Sequence, residues 1–111
     1  MSLKIGFIGY GSFSKVRQRY IENYRTVEIV GFFDPYAQND EDVRRFENVD
    51  LLLAEVDAVV VSVPPKLAPG FVIQALAATK AVFCEKPAAT SAIDLIAIEP
   101  YLKTNSAILV Y

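Results

Sequence analysis

Short apolar runs alternate with segments of helical periodicity along this chain of 111 residues. The runs are rich in β-branched and aromatic residues, a composition typical of buried strands. They predict strands at residues 3–8, 27–33, 58–63, 81–84 and 107–111. Between them the pattern predicts helices at 12–24, 40–46 and 67–79, a helical turn at 51–55 and a helix beginning at Ser91. This alternation predicts an α/β fold with a doubly wound parallel sheet.

Two local patterns make the prediction more specific. In the segment 12–24, the apolar residues recur at helical spacing, which predicts that this face of the helix is buried. They are Phe13, Val16, Tyr20 and Tyr24. Residues 47–49 predict a minimal strand ahead of the helical turn at 51–55.

Composition restricts the class of protein. Hydrophobic residues make up 53% of the chain, yet no apolar run approaches the roughly 20 residues of a membrane span. The net charge of −2 argues against a nucleic-acid-binding domain, which normally carries a basic face. The chain has no histidine, which excludes Ser-His-Asp sites and histidine-based zinc sites from it. We expect no metal site. The single cysteine and the absence of a signal-peptide pattern predict a cytoplasmic protein.

A glycine-rich turn follows the first predicted strand and opens the first predicted helix. It reads Gly9-Tyr10-Gly11-Ser12-Phe13-Ser14. The first glycine permits a tight turn, the second lets a pyrophosphate approach the backbone, and a small third residue allows close packing of helix on strand. N–H groups at the helix start favour an anion. We therefore expect a dinucleotide to contact the turn from Gly9 to Phe13, although such a turn also occurs in doubly wound proteins with other ligands.

Asp34 ends the second predicted strand, about twenty residues beyond the glycine turn. An acid at this position accepts hydrogen bonds from the adenosine ribose hydroxyls. Pro35 and Tyr36 follow, with no lysine or arginine to pair a 2′-phosphate. The sequence therefore predicts NAD in preference to NADP.

Four segments together resemble the nucleotide-binding half of the glucose–fructose oxidoreductase / inositol dehydrogenase family (Gfo/Idh/MocA). They are the glycine turn, V-E-I-V-G-F-F-D-P at 27–35, V-D-A-V-V-V-S-V-P-P-K-L at 56–67, and V-F-C-E-K-P-A-A-T-S at 82–91. The resemblance implies a single Rossmann domain over residues 1–111, which in the family is followed by an α/β substrate domain. It also implies hydride transfer between a nicotinamide cofactor and a sugar, cyclitol or related hydroxyl compound.

The resemblance assigns roles to residues near two strand ends. Lys86 would be the catalytic residue, in contact with the nicotinamide side and the substrate hydroxyl. Glu85 would help to hold the cofactor and Lys86, and Pro87 would shape the turn. Pro64, the proline that ends the strand at 58–63, would border the cofactor.

Departures from the family pattern keep a second hypothesis open. The Asn that usually follows the strand-ending proline is Pro65 here, and the His four residues after that proline is Ala68. The family's catalytic Asp and His belong to the second domain, which we expect to be absent from residues 1–111. The alternative is a stand-alone, non-catalytic nucleotide- or ligand-binding module. The apolar excess predicts that the chain forms a homo-oligomer, such as a homodimer, or packs against a missing second domain.

Overall fold

The computed structural model describes residues 2–24, 26–37, 43–84 and 108–110. The strands are β1 (Leu3–Ile8), β2 (Val27–Phe33), β3 (Ala58–Val61), β4 (Ala81–Cys84) and β5 (Ile108–Val110). The helices are α1 (Ser12–Ile21), α2 (Val49–Leu53) and α3 (Ala68–Ala77). All five predicted strands and the helices at 12–24 and 67–79 are therefore confirmed, with shorter ends in several cases. The helix predicted to begin at Ser91 lies outside the described residues.

The five strands form one parallel sheet in the order β2-β1-β3-β4-β5. The chain runs from β1 outward to β2 and then crosses to β3 on the other side of β1. The order therefore reverses between β1 and β3. In open parallel sheets, ligands bind at the carboxyl ends of the strands beside such a reversal.

Apolar side chains cover both faces of the sheet, as expected for parallel strands. On one face Ile5, Phe7 and Val60 form a buried cluster, against which Ile21 of α1 packs. On the other face, Val59 and Val61 join a cluster that includes residues of α2 and α3. The four residues of β3 are all buried, which explains why its sequence shows no alternation of apolar and polar positions.

Helices α2 and α3 are fixed by polar contacts as well as by packing. Asn48 caps α2, since its Oδ1 accepts from the Leu51 N–H at 2.9 Å. A proline stands in the first turn of α3, as its sequence predicted. The Gln74 side-chain amide then donates to Asp50 Oδ1 at 2.8 Å, which joins the two helices.

The segment before α2 differs from its prediction. Residues 40–42 lie outside the described residues, but residues 43–46 are not helical. The Phe32 N–H donates to the Arg44 carbonyl at 2.9 Å, and the Phe46 N–H donates to the Phe32 carbonyl at 2.8 Å. Arg45 thus forms a parallel bridge with Phe32 at the free edge of β2. A minimal strand does precede α2, but at Arg45, so the strand predicted at 47–49 was wrong.

The buried face of α1 also differs from its prediction. Val16, Tyr20 and Tyr24 are exposed by 47%, 72% and 66%, whereas Ser14 is completely buried. The glycine turn determines this orientation, since it places the third motif residue, Ser14, against the end of β1. The prediction that the tyrosine face is buried was therefore wrong.

No helix among the residues that the structure describes is long and apolar enough to cross a membrane.

Candidate functional site

Gly9 forms the tight turn at the carboxyl end of β1. Its φ is +87°, a left-handed conformation that side chains disfavour. A Cβ at this position would collide with the carbonyl oxygen of Ser62, just after β3. The Gly9 N–H donates to the Phe33 carbonyl at 2.8 Å, which joins the turn to the end of β2. The fold itself therefore requires glycine here.

Gly11 differs from Gly9, because no contact among the described residues requires a glycine at this position. It is the N-cap of α1, with a φ of −89° that any residue can adopt. A Cβ built on Gly11 would meet no atom of the described part of the chain within 4 Å. The backbone at the start of α1 is therefore open to approach, and a Cβ would occupy that space. This geometry fits the phosphate groups of a dinucleotide, which need close contact with backbone N–H groups at a helix start.

Ser14 takes the place of the third glycine of the motif. Its side chain is fully buried, and its Oγ donates to the Gly9 carbonyl at 2.7 Å. The hydroxyl thus satisfies a carbonyl of the strained turn and holds the first turn of α1 against it. Ser12 and Phe13 begin α1, directly beside the open space at Gly11.

Asp34 lies half-buried beside the glycine turn. Its Oδ2 accepts from the Tyr10 N–H at 2.8 Å and its Oδ1 from the Tyr36 N–H at 2.9 Å. A carboxylate has about four acceptor positions, two on each oxygen. Within the described ranges each oxygen of Asp34 accepts one bond, so each can accept a further one, as two neighbouring hydroxyls of a ribose would require.

Tyr10 contributes differently from the sequence expectation. Its side chain is buried in the core on the α1 face, so only its backbone lies at the turn. This orientation could not be predicted from the sequence, because an aromatic residue between two glycines is equally compatible with a ligand contact.

A cleft of about 320 Å³ lies along the carboxyl ends of β1, β2 and β3 and the first turn of α3. It includes the backbone of Gly9 and the residue Asp34. Its other lining residues include Phe33, Tyr36, Pro64, Leu67 and Phe71. Sequence reasoning had selected Pro64 but missed the other four. The available signal was the position of Phe33 at the end of a strand, with Tyr36 three residues later in the chain.

The walls of the cleft are mainly apolar. The rings of Phe33 and Phe71 lie with their centroids 6.2 Å apart. Tyr36 and Leu67 are large and exposed by 93% and 52%. A flat apolar group beside Asp34 would therefore be covered by aromatic and aliphatic surface, as binding pockets for small molecules generally provide.

The Glu-Lys-Pro motif follows β4 in the sequence. Glu85, Lys86 and Pro87 lie outside the described residues, so the structure brings together the turn, Asp34 and Pro64 only. In the parallel sheet, β4 is the neighbour of β3, and its last residue Cys84 pairs with Val61. The described strand end therefore points toward the same edge of the sheet as the cleft.

The family model GFO_IDH_MocA, described as "Oxidoreductase family, NAD-binding Rossmann fold", matches residues 3–111. This chain belongs to the Gfo/Idh/MocA family. The resemblance stated from the sequence motifs is thereby confirmed, as is the Rossmann fold, and the family favours the oxidoreductase hypothesis over the non-catalytic module. The domain is a nicotinamide-cofactor-binding domain.

Curated proteins similar to this Gfo/Idh/MocA chain include a sugar phosphate dehydrogenase and a cyclitol dehydrogenase. Glucose-6-phosphate 3-dehydrogenase of Bacillus subtilis is 34% identical over 79% of this chain and 27% of its own length. Inositol 2-dehydrogenase of Acidothermus cellulolyticus is 33% identical over 87% of this chain and 31% of its own length. The chain thus spans about a third of the curated relatives it matches.

A solved structure of similar fold is that of the WlbA dehydrogenase of Bordetella pertussis, in complex with NADH and UDP-GlcNAcA. It superposes with a TM-score of 0.86 at 25% identity, over 100% of this chain and 37% of that protein. This Gfo/Idh/MocA domain therefore has the fold of the corresponding part of an NADH-bound dehydrogenase.

Proposed function

We propose that this Gfo/Idh/MocA domain binds NAD(H) in preference to NADP(H). The observation that carries the proposal is the position of Asp34, whose carboxylate borders the cleft and keeps one acceptor position on each oxygen. A free 2′-hydroxyl can donate to this carboxylate, whereas a 2′-phosphate would be repelled by it. The residues from Pro35 to Asp42 contain no lysine or arginine that would attract such a phosphate.

The remaining parts of the cofactor follow from the same arrangement. The pyrophosphate would lie over Gly11 and the start of α1, where a Cβ would otherwise project. Gly9, Tyr10, Ser12 and Phe13 would contact it through their backbones. The adenine would enter the cleft between Tyr36 and Leu67, whose exposed surfaces a flat ring would cover.

For the protein that carries this domain, we propose hydride transfer between the nicotinamide and a CH–OH group of a sugar, cyclitol or related compound. The names of the two curated relatives support this substrate class, since one acts on glucose 6-phosphate and the other on inositol. The chain spans about a third of the length of these relatives, so the proposed hydride transfer is an activity of the whole protein and not of this domain alone. The nicotinamide cofactor supplies the hydride acceptor when bound.

Lys86 is the proposed proton-transfer residue for the substrate hydroxyl, and Glu85 would help to hold it and the cofactor. Pro64 borders the cleft and would flank the cofactor at the end of β3. A cytoplasmic location and a homo-oligomeric assembly stay predictions from the sequence.

Calorimetric titration of the chain with NAD and with NADP tests this proposal. We expect saturable binding of both, with the lower Kd for NAD. Equal or tighter binding of NADP would contradict the proposed role of Asp34. Absence of binding by either cofactor would contradict the proposed site as a whole.

A further inference from the structure

Tyr10 occupies the middle of the glycine turn, yet its side chain connects three elements of the core. The ring stacks on Phe32 of β2 with centroids 4.1 Å apart and an angle of 12° between planes. Its edge meets Phe7 of β1 at a centroid distance of 6.0 Å. The hydroxyl donates to Gln18 Oε1 of α1 at 2.6 Å. Only 3% of Tyr10 is exposed, so the ring has one place in the structure.

The backbone of the same residue holds Asp34. The Tyr10 N–H donates to Asp34 Oδ2 at 2.8 Å. Phe32, on which the Tyr10 ring stacks, lies two residues before Asp34 in the chain. The ring of Tyr10 therefore fixes both the strand that delivers Asp34 and the N–H that orients its carboxylate. Binding groups need such support, because a side chain that rotates freely loses its geometry toward the ligand.

We propose that Tyr10 is a positioning residue that sets the preference for NAD over NADP by orienting the Asp34 carboxylate. The inference rests on the proposed function of the cleft. With the ring in place, the two backbone N–H groups on Asp34 direct its remaining acceptor positions. Without the ring, the turn can shift away from β2 and the carboxylate can rotate.

Such a rotation should change the affinities for the two cofactors in opposite directions. NAD loses a charge-assisted hydrogen bond between its ribose and the carboxylate, while NADP is relieved of a negative charge near its 2′-phosphate. Replacing a residue with a merely structural role would instead lower the affinities for both cofactors by the same factor. The ratio of the two affinities therefore separates positioning from stability.

The test is the ratio of the Kd values for NADP and NAD in four variants, measured by calorimetry. Tyr10→Leu keeps apolar volume but removes the stack, and Phe32→Leu removes the same stack from its other side. Tyr10→Phe keeps the stack and loses the hydroxyl that donates to Gln18. Leu76→Ala is the matched control, because Leu76 is buried in the cluster on the opposite face of the sheet.

We expect Tyr10→Leu and Phe32→Leu to reduce the ratio by about tenfold, the effect of losing one charge-assisted hydrogen bond. Tyr10→Phe should retain the ratio of the unchanged chain. Leu76→Ala should lower the unfolding temperature while leaving the ratio unchanged. If Tyr10→Leu does not fold, the ratio measured for Phe32→Leu alone tests the inference.

An unchanged ratio in the variants that lack the stack overturns this inference, even when the unchanged chain prefers NAD as proposed. A reduced ratio in Leu76→Ala also overturns it, since the ratio would then follow stability. If the unchanged chain binds neither cofactor, the proposed function fails first and the inference fails with it.

Discussion

The Oδ2 atom of Asp34 lies 2.8 Å from the backbone nitrogen of Tyr10, so the end of β2 is fastened to the glycine turn that follows β1. A second bond, between the Gly9 N–H and the Phe33 carbonyl, joins the same two strand ends. The two parts of the proposed cofactor site, one for phosphate and one for ribose, are therefore a single connected unit. A substitution in the phosphate part should therefore alter the geometry of the ribose part, and the reverse.

Replacing Asp34 by asparagine should remove the preference for NAD. The amide oxygen can still accept from the Tyr10 N–H, so the turn is retained while the negative charge is lost. We expect NAD to bind more weakly and NADP more tightly, with the ratio of Kd values shifted by about tenfold. Titration calorimetry with each cofactor measures this ratio, and the same preference in Asp34→Asn as in the unchanged chain would contradict the assignment.

The two glycines of the turn should respond differently to substitution. Gly11→Val should fold, because a Cβ there would meet no atom within 4 Å among the residues that the structure describes, and the loss of a favourable N-cap costs about 1 kcal/mol at most. It should nevertheless abolish NAD binding, since the side chain occupies the place of the pyrophosphate.

Gly9→Ala provides the contrast, because its φ of +87° and the Ser62 carbonyl leave no room for a Cβ. We expect this variant to be severely destabilised, which thermal unfolding followed by circular dichroism would reveal. Normal NAD binding by a folded Gly11→Val variant would show that the phosphate site lies elsewhere.

Thr79 ends α3 in a conformation that favours glycine. Its φ is +60°, and the bonds from the Lys80 N–H to the Ala75 carbonyl and from the Thr79 N–H to the Leu76 carbonyl form a Schellman motif. A β-branched residue in this left-handed region costs about 1–2 kcal/mol.

Thr79→Gly should therefore raise the unfolding free energy by about 1 kcal/mol and the unfolding temperature by about 4 °C. The control is Ala78→Gly, whose φ of −84° suits any residue, so glycine there should destabilise. Urea titration of both variants measures the difference. A less stable Thr79→Gly would mean that the strain is absent.

The sequence alone predicted the strands better than the segments between them. Buried parallel strands such as β3 need apolar residues on both faces, and this produces an unmistakable run of Ala and Val residues. The segment 43–46 was predicted as helix from its charged residues. Its structure is instead determined by two backbone hydrogen bonds to Phe32, a contact that composition does not reveal.

One signal for this contact was present in the sequence. Gly31 interrupts the aromatic and β-branched run of β2, and a glycine inside a strand often marks the close approach of another backbone. In the structure, a Cβ at Gly31 would collide with the Arg44 carbonyl. The candidate site was predictable at Gly9, Gly11 and Asp34. The role of a glycine motif, or of an acid at a strand end, can be recognised from residue type and local sequence position alone.

The proposed proton-transfer role of Lys86 is tested best by measuring NAD binding and turnover separately. The 111-residue chain should bind NAD without oxidising polyols, because we expect the walls that orient a substrate to belong to a second domain. In a protein that joins this domain to a substrate domain, Lys86→Ala should lower kcat by about 10²–10⁴-fold, the usual contribution of one acid–base residue. Its affinity for NAD should be nearly unchanged. NADH production by the 111-residue chain itself, dependent on Lys86, would contradict this account.

We expect a nicotinamide dinucleotide to bind along the carboxyl ends of β1, β2 and β3. Amide chemical shifts of the ¹⁵N-labelled chain, recorded during titration with NAD, test it most directly. We expect saturable shifts at Gly9, Gly11, Tyr36 and Leu67. The amides of Thr26 and Asp57, at the opposite edge of the sheet, should be unaffected. Shifts confined to that opposite edge, or none at all up to millimolar NAD, would contradict it.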